Sequence, residues 1–225
     1  MNAMILAAGL GKRLKPITNE IPKPMIEING VSPIKSHLEK LDKANFKNVT
    51  INLSHLGYKI CKKFGNSYGK NLRIKYSFEP SRPLETAGGI AFAEPWNENW
   101  EPFLVMNGDI FCEWDFNEAH KLASEIKNRR ILGCLIMVSN QKSNSSDFFL
   151  DSKTNLLSHN ESNKSKKKKL VFSGFGVYDP NLFNFVKKGC KQALKPIFDK
   201  AINENLIIGK KFDGNWIDIG SHESL

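Results

Sequence analysis

The chain is short of the residues that covalent and metal-bound scaffolds need. Its 225 residues include four cysteines, Cys61, Cys112, Cys134 and Cys190, with no C-x-x-C pair. The histidines His37, His55, His120, His159 and His222 are scattered too. Such spacing suggests neither a zinc site nor a disulfide framework, and it points to a reducing, cytoplasmic setting. The cysteines are expected to be small buried hydrophobes. No apolar run approaches the roughly 20 residues of a membrane span, so no membrane partner is expected. Met1-Asn2-Ala3-Met4 lacks the positive charge of a secretory leader. Acidic residues are the other shortage: 23 Asp and Glu face 33 Lys and Arg, leaving a net charge of +10. That excess concentrates anions near the surface without selecting among nucleotides, sugar phosphates, nucleic acid and membranes. Part of it is the run Lys164, Lys166, Lys167, Lys168 and Lys169, which reads as a solvated loop. Few aromatics are interleaved with it and no RNA or DNA motif is visible, so no nucleic-acid partner is expected.

What the chain does have is alternation of strand and helix patterns. Ala3–Ala7, Asn48–Leu53, Leu72–Phe78, Pro102–Met106 and Ile131–Val138 read as strands, the last a continuous apolar run typical of a buried central strand. Ile34, Leu38 and Leu41 recur at helical spacing, as do Leu56, Ile60 and Phe64. Helices are also expected over about 86–93 and 116–128. This order predicts an α/β fold, Rossmann-like and doubly wound, with a mostly parallel mixed sheet. After Ser139 the pattern changes to short strands and polar turns, with a strand over Val171–Tyr178, a helix start at Asp179-Pro180, and further segments at Ala193–Asn203 and Ile207–Phe212. We expect a single domain, with a smaller antiparallel subregion in about 139–225 beside a main half in about 1–138.

The first strand runs into Ala8-Gly9-Leu10-Gly11-Lys12-Arg13-Leu14, and Pro22-Lys23-Pro24 follows. Two glycines free the backbone to approach a ligand, and two prolines fix the backbone that presents Lys23. The loop is not a dinucleotide fingerprint, because Leu14 stands where a third glycine belongs. It is not a Walker loop either, because Leu6 and Arg13 replace the required glycine and hydroxyl. It remains a device for a polyanion such as a nucleoside triphosphate. Asn107-Gly108-Asp109 ends an apolar strand, where α/β sheets bind ligands, and a carboxylate there suits magnesium. The same tripeptide also forms plain turns. Asp218 lies between Ile217 and Ile219 and needs a partner if buried, which a metal shared with Asp109 would supply and a satisfied core contact would supply equally. Leu84-Glu85-Thr86-Ala87-Gly88-Gly89 is a small-residue helix opening, suited to meeting a base or anion, with Thr86 as a candidate cap.

Taken together, these residues resemble the sugar-1-phosphate nucleotidyltransferases, whose signature is a glycine-rich loop with Arg-Leu followed by Pro-Lys-Pro. The similarity spans nearly the whole chain, including Val105–Asp109, Ser146-Asp147-Phe148, Phe172-Ser173-Gly174 and Gly214–Gly220. It runs nearest to the subgroup that transfers uridylyl to N-acetylmuramate 1-phosphate. The resemblance implies the nucleotide-diphospho-sugar transferase fold. It implies that Ala8, Gly9, Leu10, Gly11 and Lys12 wrap the nucleotide and that Arg13 and Lys23 meet its phosphates. Glu85, Thr86 and Gly88 then lie near the base, with Asn107 beside the nucleotide. Asp109 and Asp218 hold magnesium, and Asp147 and Gly174 lie near the sugar. The implied catalytic set is Arg13, Lys23 and Asp109, and no lysine is matched to the sugar phosphate.

The expected reaction joins an NTP and a sugar 1-phosphate into an NDP-sugar and diphosphate. Its nucleophile is already an anion, so positioning and charge neutralisation replace a general base. UTP with N-acetylmuramate 1-phosphate is the first expectation. Guanylyl transfer to mannose 1-phosphate and uridylyl or thymidylyl transfer to glucose 1-phosphate are the alternatives. An inactive nucleotide-sugar sensor is the competing class, and the presence of Arg13, Lys23, Asp109 and Asp218 argues against it. Oligomeric state is not legible.

Overall fold

The computed structural model describes residues 1–80, 83–96, 98, 100–139, 147–160 and 167–220. Lys164, Lys166, Ser146 and His222, named above, lie outside the described residues. In chain order the strands are β1 (Asn2–Leu6), β2 (Asn48–Leu53), β3 (Ser67–Tyr68), β4 (Leu72–Phe78), β5 (Phe103–Asn107), β6 (Ile110–Cys112), β7 (Gly133–Val138), β8 (Phe148–Asp151), β9 (Leu157–Ser158), β10 (Lys167–Tyr178), β11 (Ile207–Phe212) and β12 (Trp216–Asp218). The helices are α1 (Pro33–Lys43), α2 (Gly57–Phe64), α3 (Glu85–Ala93), α4 (Asn117–Arg129) and α5 (Lys195–Asn203). No helix among the described residues is long and apolar enough to cross a membrane.

The main sheet runs β11-β7-β10-β5-β1-β2-β4-β3. β1, β2, β4 and β5 are mutually parallel, and so are β7 and β11. β10 enters antiparallel between β5 and β7. The fold is therefore the mixed, mostly parallel doubly wound sheet that the alternation predicts. Apolar residues fill both faces. On one face Ile34, Leu38 and Leu41 of α1 pack with Ile5, Ile51 and Ile136. On the other, Ala87 and Ile90 of α3 and Phe198 of α5 pack with Met4, Val105 and Leu135. Each strand thus alternates its side chains between two buried layers, which is why β1 and β7 read as unbroken apolar runs.

The chain proceeds from β1 to β2 and β4 on one side, then crosses to β5 on the other. This reversal beside β1 is a topological switch point, and it opens a crevice beyond the carboxyl ends of β1 and β5.

Three expectations need correction. Lys167–Lys169 are not loop: they begin β10, which pairs with β8 from Lys167 opposite Asp151 to Leu170 opposite Phe148. A continuous run of basic residues and turn-like neighbours hid this extended arm. The Asp179-Pro180 start gives one turn of 3-10 helix, Pro180–Phe183, capped by the Asp179 side chain. Not all cysteines are buried: Cys112 and Cys134 are, Cys61 is half-buried, and Cys190 is exposed. All four are unpaired.

Candidate active site at the switch point

The crevice is walled by the segments that follow β1 and β5. Just beyond β1, the Ala7 amide donates to Asn52 Oδ1 at 2.8 Å, so β2 steers the loop. At Gly9 an added Cβ would meet nothing within 4 Å, so this backbone faces open space. Gly11 adopts φ 61°, and a Cβ there would press on Thr18 Cγ2 at 2.6 Å. Glycine alone accepts both demands. The Leu14 amide and the Thr18 hydroxyl both donate to the Gly11 carbonyl, at 2.9 Å each. The loop therefore folds back, burying Leu14 and leaving Lys12 and Arg13 exposed.

Pro22 and Pro24 bracket Lys23 at the start of one turn of 3-10 helix, Lys23–Met25. With Pro24 buried, the Lys23 side chain reaches across to form an ion pair with Asp109. Asp109 follows Gly108, whose amide donates to the Leu6 carbonyl at 2.9 Å. A Cβ at Gly108 would lie 2.7 Å from that same oxygen, so glycine permits the turn to close on β1. The short ribbon β6–β12 then sets Asp218 opposite Ile110, and the Ile219 amide donates to the Asp109 carbonyl at 3.0 Å. Partial desolvation and the nearby Asp109 carboxylate push the Asp218 carboxyl above its usual range, while Lys23 and Arg13 pull the other way. Lys23, Arg13, Asp109 and Asp218 thus share one electrostatic neighbourhood.

Beneath the turn lies His37 of α1. Its Nε2–H donates to the Asn107 carbonyl at 3.0 Å, and its Nδ1 is buried with no hydrogen-bond partner among the described residues. Burial lowers the pKa of His37 to about 4, so the ring is neutral at pH 7.

A cavity of about 290 Å³ opens at this point. Ala8, Gly9, Leu10, Lys23, Asn107 and Asp109 line one side, and Asn52, Glu79, Pro83, Glu85 and Thr86 line the other. A triphosphate-sized polyanion would thus meet main-chain groups and a lysine on one wall and polar side chains on the other. Beyond the geometry, the model of the nucleotidyl transferase family matches residues 2–225.

The chain belongs to the nucleotidyl transferase family.

Two relatives and one solved structure illustrate its place in that family. It is 36% identical to the N-acetylmuramate alpha-1-phosphate uridylyltransferase of Neisseria meningitidis, over 98% of this chain and 94% of that protein. It is 28% identical to the UTP--glucose-1-phosphate uridylyltransferase of Synechocystis, where it spans 60% of the relative's length. The crystal structure of HddC from Yersinia pseudotuberculosis superposes with a TM-score of 0.74 at 23% identity, covering 100% of this chain and 96% of that one.

Several residues singled out from the nucleotidyl transferase motifs lie elsewhere than at the cavity wall. Gly11, Lys12, Arg13 and Asp218 are not among the residues that line it. Gly88 faces away: a Cβ there would lie 2.4 Å from the Cys190 carbonyl, and its amide donates to the Gln192 carbonyl. Close approach of the chain therefore requires glycine at this position. Thr86 is not the helix cap either. α3 starts one residue earlier, with Leu84 at the cap position and no side-chain cap. Asp147 accepts from the Phe172 amide at 2.8 Å, stitching the start of β8 to β10. Gly174, at φ 85°, sits where β10 slips register against β7 between Phe172 and Gly176, and a Cβ there would crowd Asn107 Nδ2 at 2.7 Å. It therefore joins the second half of the chain to the Asn107 turn.

Two polar lining residues went unread in the sequence. Asn52 Nδ2 donates to Glu79 Oε1 at 2.7 Å, and Glu79 Oε2 accepts from the Leu84 amide at 3.1 Å. Gly89 leaves room for this pair, since a Cβ there would lie 2.5 Å from Glu79 Oε1. The one available signal was Asn52 itself, a polar amide side chain near the end of a buried strand.

Proposed function

We propose that the chain is a uridylyltransferase that makes UDP-N-acetylmuramate and diphosphate from UTP and N-acetylmuramate 1-phosphate. The observation that carries this is the cavity at the switch point, where Lys23 and Asp109 meet beside a glycine loop. The choice of base and sugar rests on the relative of nearly equal length bearing that activity's name. In this reading residues 1–138 mainly serve the nucleotide and 139–225 the sugar, within one domain. Unpaired cysteines suit a reducing cytoplasm.

A phosphate oxygen of the sugar attacks the α-phosphorus in line. The bond from that phosphorus to the α–β bridging oxygen breaks, and diphosphate leaves with the bond's electrons. No proton need be removed from the nucleophile, which explains a site with cations and carboxylates and no base–nucleophile pair. Lys23 and Arg13 neutralise the phosphates. The loop 8–11 offers main-chain donors, and Asn107 lies beside the nucleotide. Asp109 and Asp218 are the residues that would hold magnesium. Two neighbouring carboxylates, one already pushed toward protonation by partial desolvation and then by the other, fit an ion that fills its remaining positions with phosphate oxygens and water. Among the described residues no larger cluster of His, Cys, Asp and Glu competes with them. Bound there, magnesium would supply charge neutralisation at the α- and β-phosphates.

A screen of four NTPs against several sugar 1-phosphates, read by diphosphate release, tests the assignment. The expected optimum is UTP with N-acetylmuramate 1-phosphate. An optimum with GTP and mannose 1-phosphate would replace the substrates and keep the reaction.

A further inference from the structure

We propose that Cys190-Lys191-Gln192 is a positioning strap for the wall of the cavity formed by Glu85 and Thr86, with Lys191 as its charged contact. The proposal rests on the reading that a nucleoside triphosphate occupies that cavity.

The start of α3 has no side-chain cap of its own. Two of its first four amides, those of Ala87 and Gly88, are satisfied by a segment about a hundred residues later in the chain. The Ala87 and Gly88 amides both donate to the Gln192 carbonyl at 3.0 Å, and the Gln192 amide donates back to the Leu84 carbonyl at 2.9 Å. Gly88 is the residue that lets the strap lie this close, against the Cys190 carbonyl. These bonds do for the helix what a capping side chain usually does.

Glu85 shows why the strap matters to the cavity. It lines the wall at φ 57°, a left-handed conformation unfavourable for a residue with a Cβ, which persists where surrounding contacts impose it. Its Oε1 lies 3.0 Å from Lys191 Nζ. A bare carboxylate in the wall of a site for a triphosphate would repel the ligand. Glu79, the other acid of that wall, is held by Asn52 and the Leu84 amide. Glu85 is answered by Lys191 instead. Lys191 therefore acts through Glu85, neutralising it and fixing its direction, and the strap ties the second half of the chain to the nucleotide wall. Both side chains are well exposed, so screening keeps the effect modest, about two- to five-fold.

The test is a double-mutant cycle read by steady-state kinetics, together with amide hydrogen exchange at Ala87 and Gly88 on the full chain. Lys191→Ala should raise KM for the triphosphate about two- to five-fold, with kcat and the KM for sugar phosphate nearly unchanged. In the Glu85→Gln background the same substitution should leave KM unmoved. Exchange at Ala87 and Gly88 should be faster in Lys191→Ala than in the wild type. The strap is overturned if Lys191→Ala shifts KM equally in both backgrounds, or shifts neither KM nor exchange. Absence of diphosphate release by the wild type would instead sink the functional reading, and hydrogen exchange would still judge the strap.

Discussion

Lys23 and Asp109 form an ion pair at the mouth of the cavity, so each side chain serves the other as well as any ligand. Lys23→Ala should raise KM for the triphosphate at least tenfold in diphosphate-release assays, and unchanged kinetics would remove Lys23 from the site. Asp218 supports a sharper experiment. Its carboxyl is raised, so protonation favours the fold: its stabilising contribution is present at acid pH and is lost as pH rises through the raised value. At neutral pH the ionised carboxylate, partly desolvated and beside Asp109, then costs a little stability, kept small by solvent contact at this exposed residue. Without divalent cations, Asp218→Asn should melt at or above the wild-type temperature at pH 7, and magnesium should raise the melting temperature of the wild type only. A magnesium shift of equal size in the variant would disprove the metal pair. His37 has the opposite sense. Its pKa falls from 6.5 to about 4, so the unfolded chain takes up a proton that the folded chain refuses. Stability from this residue is complete above about pH 6.5 and is lost as pH drops toward 4, by at most about 3 kcal/mol. Urea denaturation at pH 7 and pH 4.5 should show a loss that His37→Gln reduces.

At the scale of elements, the arm of β10 and the start of α3 carry what the sequence hid. β10 runs from Lys167 to Tyr178 and slips register beside Gly174, which brings the Asn107 side chain close to its backbone. Gly174→Ala must strain a left-handed residue and displace Asn107, costing about 1–3 kcal/mol. Thermal melts should show the loss, and kcat should fall with it. Apolar periodicity made α1, α2, α4 and β7 legible to within a residue or two, because their signals are local and their faces buried. β12 and β6 were not legible as a ribbon, since three-residue strands have no period to read. The strap was invisible for a different reason: main-chain capping by Gln192 uses groups that every residue carries. Gly88 and Gly89 show the limit well. Adjacent and chemically identical, they face opposite ways, one to the Cys190 carbonyl and one to the Asn52–Glu79 pair.

For the whole molecule, the topology explains why motifs scattered over the chain converge. The loops after β1 and β5 meet because those strands are parallel neighbours, Leu6 standing opposite Asn107. The ribbon of β6 and β12 adds Asp218 from near the end of the described chain. The mostly parallel sheet follows from the alternation of elements and the crevice beyond β1 and β5 from the switch-point rule, whereas the antiparallel place of β10 between β5 and β7 follows from neither. The roles of Asn52, Glu79 and Lys191 required the folded chain, because they depend on contacts across 27 to 106 residues. In the proposed function this cavity directs a sugar phosphate onto the α-phosphorus of UTP. The most direct measurement uses UTP labelled at the α-phosphorus and, separately, at the γ-phosphorus, with N-acetylmuramate 1-phosphate and magnesium. The α-label should appear in the nucleotide sugar and the γ-label in diphosphate. Release of γ-label as inorganic phosphate alone, or no transfer of α-label to any sugar phosphate, would contradict that function.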